Sequence, residues 1–289
     1  MFPGSVKIRS PFRPDPMPRS RHIRRNVLAA WLAVAGIVFG QPQLTGSAAL
    51  AHFYYFNPDS PQSNLSNLKQ SMEAALNAQG LVFNFQPFIR FQDFNRQVRD
   101  GQPALVFLPE WFLRQDGNST RYKPLLIPVH NGRSTYRKVL MVPSDSTLTA
   151  AQLPGATIAM TPLGEAGLVQ LDEALFKGAG LRSETLNFIT TAKDVDALFA
   201  LALGQVKAAV ISEDNLNHIA SINPKILATV KSLAVSSPIP LPLLCYADGA
   251  IPREELNTLR ASLLAGKQDK NVAQLMELLD IDGWREPTP

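Results

Sequence analysis

The 289-residue chain contains one cysteine, Cys245, so no intramolecular disulfide can form. Cys245 lies in the apolar, strand-like run Leu241–Tyr246, far from the N-terminus. That position excludes a lipid-modified N-terminal cysteine and predicts a buried, inert thiol. Metal and nucleotide signatures are also missing: there is no H-E-x-x-H, no cysteine pair and no G-x-x-x-x-G-K-[ST]. His52, His130 and His218 stand beside no serine or cysteine in a nucleophile motif. No catalytic constellation, no metal site and no cofactor is therefore expected. Long hydrophobic runs are lacking too. Val27–Phe39 is nearly continuous apolar sequence, but a membrane span needs about 20 residues.

A net positive charge is lacking outside the first fifty residues. The formal charge is +4, yet residues 1–51 hold seven of the 28 Lys/Arg and one acid, Asp15, which leaves the remainder at −2. Nucleic acid is thus not an expected partner. What residues 1–51 do have is the anatomy of a secretory signal: basic residues up to Arg25, the apolar run, and the small-x-small site Ala49-Leu-Ala51 before His52. Cleavage there would start the mature chain at His52. Arg24-Arg25 also fits a loose twin-arginine pattern, Met17 is an alternative start, and retention of the segment as an anchor stays open.

Hydrophobic residues make up 45% of the chain, enough for a substantial core. Their spacing alternates between strand and helix. The apolar run Ala156–Met160 leads through Thr161-Pro-Leu-Gly164 to a segment with Leu168, Leu171 and Leu175 on one face. Leu186–Thr190 is a second run. Thr191 is expected to cap the next helix, which carries Val195, Leu198, Phe199 and Ala202, and Ala208–Ile211 is a third run. That is strand–helix–strand–helix–strand, the pattern of a parallel sheet covered on both faces. A similar unit precedes it. His52–Phe56 leads to a helix with Leu65, Leu68, Met72 and Leu76, for which Ser60-Pro61 is the expected N-cap and first turn. Leu81–Phe85, a short helix near Phe94–Val98, and Ala104–Leu108 complete it. Tyr122–Pro128 and Tyr136–Val142 read as extended segments leading from the first unit to the second, and Ile226–Tyr246 as the return. Amphipathic helices follow around Leu256–Leu264 and Val272–Leu279.

Two α/β units joined by two extended crossings resemble the periplasmic solute-binding proteins of the phosphate/phosphonate (PhnD-like) group. The resemblance covers residues 52–284. It rests on Phe53–Leu68, on Ala104–Phe112, and on Tyr136–Val142 leading into Leu153–Ala159. It rests also on Asp194–Asn215 and on Ser237-Pro-Ile-Pro240. It implies a type II fold of two lobes, each a mostly parallel sheet flanked by helices. The expected boundaries are 1–51 for the signal, 52–139 with 235–289 for lobe 1, and 140–234 for lobe 2. It implies a monomeric, non-catalytic periplasmic protein that closes on a small polar, anionic ligand for an ABC permease or a membrane sensor. A secreted enzyme on the same fold and an anchored interaction domain without ligand are the alternatives.

The resemblance places ligand contacts on the loops after the strands, where helix N-termini favour negative charge. Those positions are Asn57, Ser60, Ser63, Gln92, Asp93, Glu110 and Trp111 in the first lobe, and Thr161, Gly164, Thr191 and Glu213 in the second. The second lobe departs from the family. Thr161-Pro-Leu-Gly-Glu165 stands where phosphonate binders have a Ser/Thr-rich turn, Thr191-Ala192 replaces a histidine, and Glu213-Asp214 occupy the region of a family acid.

Overall fold

The computed structural model describes residues 50–60, 64–115 and 117–287. The signal segment up to Ala49, the paired arginines, Met17 and Ser63 lie outside the described residues. β1 (Ala51–Phe56) leads to α1 (Leu65–Asn77), β2 (Phe83–Phe88), α2 (Phe91–Gly101) and β3 (Leu105–Leu108). Two short helices, α3 (Glu110–Leu113) and α4 (Asn118–Arg121), precede β4 (Tyr122–Val129). Then come β5 (Thr135–Tyr136), β6 (Lys138–Pro143), β7 (Thr157–Met160), α5 (Glu165–Leu171), β8 (Asn187–Thr190) and α6 (Asp194–Ala202). β9 (Ala208–Ser212), α7 (Glu213–Ile222), α8 (Pro224–Leu227) and β10 (Val230–Val235) follow. The chain returns through β11 (Ile239–Pro240) and β12 (Leu243–Ala247) to α9 (Arg253–Ala265), α10 (Lys270–Leu279) and β13 (Gly283–Arg285).

The strands form two sheets, β13-β4-β12-β3-β1-β2 and β10-β6-β9-β7-β8. The β2-β1-β3 and β8-β7-β9 parts are parallel, and the returning strands add on antiparallel. The second sheet therefore takes in Lys138 at one limit and Val235 at the other. Between the sheets, β5 and β11 pair with each other, Ile239 opposite Tyr136. The two crossings are thus a two-stranded ribbon, and Pro238, Pro240 and Pro242 mark its returning strand.

Continuous apolar runs mark strands buried on both faces, and the side-chain period of two then splits each strand between two cores. Phe53 and Tyr55 of β1 face one core of the first sheet, while Tyr54 and Phe56 face the other. In the second sheet, Val139 and Met141 of β6 join Ala209 and Ile211 of β9 on one face, while Leu140, Val142, Ala208 and Val210 take the other. Cys245 is buried in the first sheet, and burial pushes its thiol pKa far up, as expected for an inert group. Among the described residues no helix is long and apolar enough to cross a membrane.

Several local expectations need correction. The first helix starts at Leu65, with the Asn64 side chain accepting from the Asn67 amide, so Ser60 is not its cap. Asn is as good a cap as Ser and lies one residue before the apolar stripe. Thr191 does not cap α6: its hydroxyl donates to the Lys193 carbonyl, and Lys193 holds the cap position without a side-chain bond. Phe199 is exposed, because Asp194, Ala197, Leu198 and Leu201 form the buried face of α6. Tyr122–Pro128 is no crossing: β4 is an inner strand of the first sheet, between β13 and β12. The start of Ile226–Tyr246 is helical, in α8.

Phe94 sits at the centre of the aromatic core beneath the cleft-side end of the first sheet. It stacks on Phe56 at 5.2 Å and packs against Phe88 and Phe112 at 5.7 and 5.1 Å. Phe94→Ala is expected to cost about 3–5 kcal/mol of unfolding free energy. Denaturant titration of both proteins checks this, and a loss below 1 kcal/mol would show that the site collapses around the smaller side chain.

Candidate functional site

β6 runs antiparallel to β9, with Lys138 opposite Ser212. The first residue of one strand therefore lies beside the last of the other, at the sheet edge where Thr161 follows β7. Each element contributes a polar group there because its apolar run has just ended. From the first sheet, the turn after β1 brings Asp59 to the same place. The Asn57 side chain accepts from the Asp59 amide at 3.1 Å and directs the turn.

The result is a buried polar cluster that bridges the two sheets. The Lys138 ammonium, with its side chain 3% exposed, donates to the Asp59 carboxylate and lies 3.7 Å from Asp194. It also reaches the Thr161 hydroxyl at 3.4 Å, and that hydroxyl donates to Asp59 at 3.1 Å. Asp194 opens α6 and accepts from the Ser212 amide, the Ser212 hydroxyl and the Asn215 amide, each at 2.8 Å. The Asn215 amide also donates to the Asp59 carbonyl at 3.2 Å. A buried charge is tolerable only when paired and hydrogen-bonded. Here one ammonium meets two carboxylates.

The pKa shifts follow from this arrangement. Burial is the largest influence on Lys138 and pulls it down, but the carboxylates of Asp194 and Asp59 together outweigh it and leave the value raised. Burial raises Asp194, with Lys138, Asn215 and Ser212 opposing. Burial, then the charge of Asp59, pushes the Tyr136 hydroxyl well above its ordinary 10.0.

A second, apolar contact lies on the other side of the cleft. Trp111 of α3 is 2% exposed and meets Phe91 edge-on at 5.2 Å. Both rings cover the turn that opens α5. A Cβ at Gly164 would stand 2.5 Å from the Phe91 ring, and one at Gly167 would stand 3.0 Å from the Trp111 ring. Glycine at these positions is what lets α5 approach so closely.

Next to the polar cluster is a small, partly open pocket lined by Tyr55, Asn57, Asp59, Tyr136, His130, Asp214 and Asn215 among others. His130 Nδ1 is 2.6 Å from the Asp280 carbonyl oxygen and its Nε2 is 3.6 Å from Asp214. Among the described residues no group of His, Cys, Asp and Glu could hold a metal ion.

The expected site residues therefore separate. Asn57 lines the pocket, and Thr161 is fully buried in the polar cluster. Ser60 lies near them, its hydroxyl 3.5 Å from that of Tyr55. Trp111 and Gly164 meet in the aromatic contact. Glu110 begins α3 with one buried carboxylate oxygen that has no hydrogen-bond partner, and its other oxygen is 3.9 Å from Arg114. Gln92 is exposed and Asp93 pairs with Arg96 on the surface of α2, away from the cluster. Thr191 and Glu213 border the cluster without joining it: Thr191 bonds Lys193, and the Glu213 amide bonds the Arg137 carbonyl. Lys138, Asp59, Asp194, Asn215 and Tyr136 were not among the expected site residues. The available signal was a lysine heading the apolar run Val139–Val142, where a solvated strand would carry alternating polar residues.

The family described as "ABC transporter, phosphonate, periplasmic substrate-binding protein" matches residues 52–289. No curated protein sequence matches the chain. Among solved structures, a binding protein component of an ABC phosphonate transporter from Pseudomonas aeruginosa is similar, with a TM-score of 0.66 and 13% identity over 82% of this chain and 81% of that one. PhnD1 from Prochlorococcus marinus, in complex with methylphosphonate, has a TM-score of 0.65 and 12% identity over 82% of this chain and 92% of that one. A Xanthomonas citri protein bound to ATP has a TM-score of 0.63 and 14% identity over 84% and 92%.

Two outcomes follow from the geometry. Gly164→Ala should overpack the aromatic contact at a cost of about 1–3 kcal/mol, which either lowers the melting temperature or parts the sheets and raises the radius of gyration in solution scattering. No change in either would mean the rings yield freely. The second outcome concerns alkaline pH. Lys138 and Tyr136 keep their protons to higher pH folded than unfolded, so the native state binds more protons above the ordinary values of 10.5 and 10.0. Their stabilisation is complete below those values and is lost as pH rises beyond them. The melting temperature should therefore fall steeply above about pH 10, and a flat profile to pH 11.5 would contradict the buried cluster.

Proposed function

The chain belongs to the phosphonate family of periplasmic ABC-transporter substrate-binding proteins, and from that premise we propose how it works. Residues 1–51 are removed on export, leaving His52 as the mature N-terminus. The first sheet with its helices moves as one lobe and the second, from Lys138 to Val235, as the other, turning about the β5–β11 ribbon. The monomer closes on a small polar solute in the pocket beside Lys138 and delivers it to a permease.

The observation that carries this is the meeting of strand ends from both sheets on one buried polar cluster beside a pocket. In open α/β sheets ligands bind at that edge, and a ribbon of short strands is a simple hinge because few backbone dihedrals must change to turn it. The pocket lining pairs aromatic surface from Tyr55 and Tyr136 with acceptors and donors from Asn57, Asp214 and Asn215. That mixture suits a small polar molecule with some apolar area. Solute binding requires no nucleophile or metal, and the family is one of binders rather than enzymes.

Native mass spectrometry of protein taken from the cell envelope is expected to show the chain without its leader, carrying a dissociable small molecule. Stripping and re-adding that molecule should raise the melting temperature. Tyr55→Ala and Asn215→Ala, in the pocket wall, should each weaken its binding tenfold or more, about 1.4 kcal/mol. A solute that binds unchanged to both folded variants would place the site elsewhere.

A further inference from the structure

The cleft already contains an anion, and it is part of the chain. The donors gathered at the cluster belong to the second sheet and its helices: the Lys138 ammonium at the head of β6, the Thr161 hydroxyl after β7 and the Asn215 amide in α7. The lysine and the threonine donate to the carboxylate of Asp59, which arrives from the first sheet, and the Asn215 amide donates to its main-chain carbonyl. Tyr136, on the ribbon between the sheets, bonds the same carboxylate. The Asp59 side chain is 10% exposed, and its contact is made across the cleft, as a bound solute's would be.

The remaining donors of the cluster are engaged as well. The Ser212 amide and hydroxyl are both taken by Asp194, which lies 3.7 Å from the ammonium. An incoming oxyanion would thus meet two carboxylates around one ammonium, with the donors of Lys138, Thr161 and Ser212 already engaged. The other place for an anion, the turn that opens α5, is covered by the Phe91 and Trp111 rings.

We propose that Asp59 is a tethered carboxylate that fills the anion subsite of the cleft and latches the two lobes together when no solute is bound. The chain therefore discriminates against free oxyanions of the phosphate and phosphonate type, and its solute is recognised in the adjoining pocket by other groups. This rests on the cleft being the solute site. Removing the carboxylate would leave Lys138, Thr161 and Tyr136 without their shared acceptor, an unfilled cradle with Asp194 balancing the lysine.

The test is calorimetric titration of inorganic phosphate and of methylphosphonate into wild type, Asp59→Ala and Asp59→Asn, with circular dichroism to establish that each is folded. Wild type is expected to bind neither anion in the millimolar range. At least one folded variant should bind one of them ten or more times tighter than wild type, and adding Lys138→Met should abolish that gain. Scattering of the anion-free variant should also show a larger radius of gyration than wild type. Wild type binding either anion as tightly as the variants would overturn the tethered occupant and leave solute binding intact. Folded variants that gain no anion would also overturn it. The co-purified solute is measured independently, so failure of the solute-binding assignment would appear there and not in these titrations.

Discussion

The rest of the cleft is arranged around one buried lysine. Lys138 cannot reach water, so its charge must be met inside the protein, and the two carboxylates that meet it come from opposite sides of the cleft. Asp194 is held by its own sheet's Ser212 and Asn215, whereas Asp59 has to be brought across. A lone buried ammonium would be costly, and breaking such a pair by removing one partner typically costs about 3–5 kcal/mol. The closed arrangement is thus the one in which the lysine is neutralised. If the lobes part as proposed, Lys138 and Asp59 would both meet water, so the latch would release without leaving an unpaired charge in an apolar place.

The aromatic contact complements the polar one. Phe91 and Trp111 on Gly164 and Gly167 supply apolar area at the far side of the cleft, and the absence of a side chain at these two glycines is what permits the approach. One contact is directional and charge-dependent, while the other is driven by burial. Together they account for a cleft that is closed at both margins with a pocket between the polar cluster and the β5–β11 ribbon. The departures from the family pattern at Thr161–Glu165 acquire a physical sense here. A turn covered by two rings has no use for a row of hydroxyl donors.

Much of the architecture was legible because the apolar runs are unambiguous. Phe53–Phe56, Ala208–Ile211 and Val139–Val142 are continuous apolar or aromatic runs, and only strands buried on both faces need that. Helix starts were less legible, since Ser60 and Asn64 are comparable caps and only the onset of the buried stripe decides between them. Of the site, Thr161 and Asn57 could be found by their position after strands. Lys138 and Asp194 could not. One reads as a charged strand end and the other as an ordinary acid in a first helical turn. Their meeting depends on the antiparallel pairing of β6 with β9, a long-range contact that no local pattern encodes. Asp59 in Asn57-Pro-Asp-Ser60 reads as turn chemistry, and its role appears only with the other lobe in place.

Cys245 offers a direct way to measure the latch, because a buried, unreactive native thiol leaves engineered cysteines as the only labelling sites. Ile89 and Ile189 are exposed and sit at strand ends of the first and second sheets. Spin labels at Ile89→Cys and Ile189→Cys would report the distance across the cleft by pulsed electron resonance. Without solute, one narrow, short distance is expected, lengthening and broadening when Asp59 is replaced by alanine. A broad, long distribution in the solute-free chain, indifferent to Asp59, would contradict it.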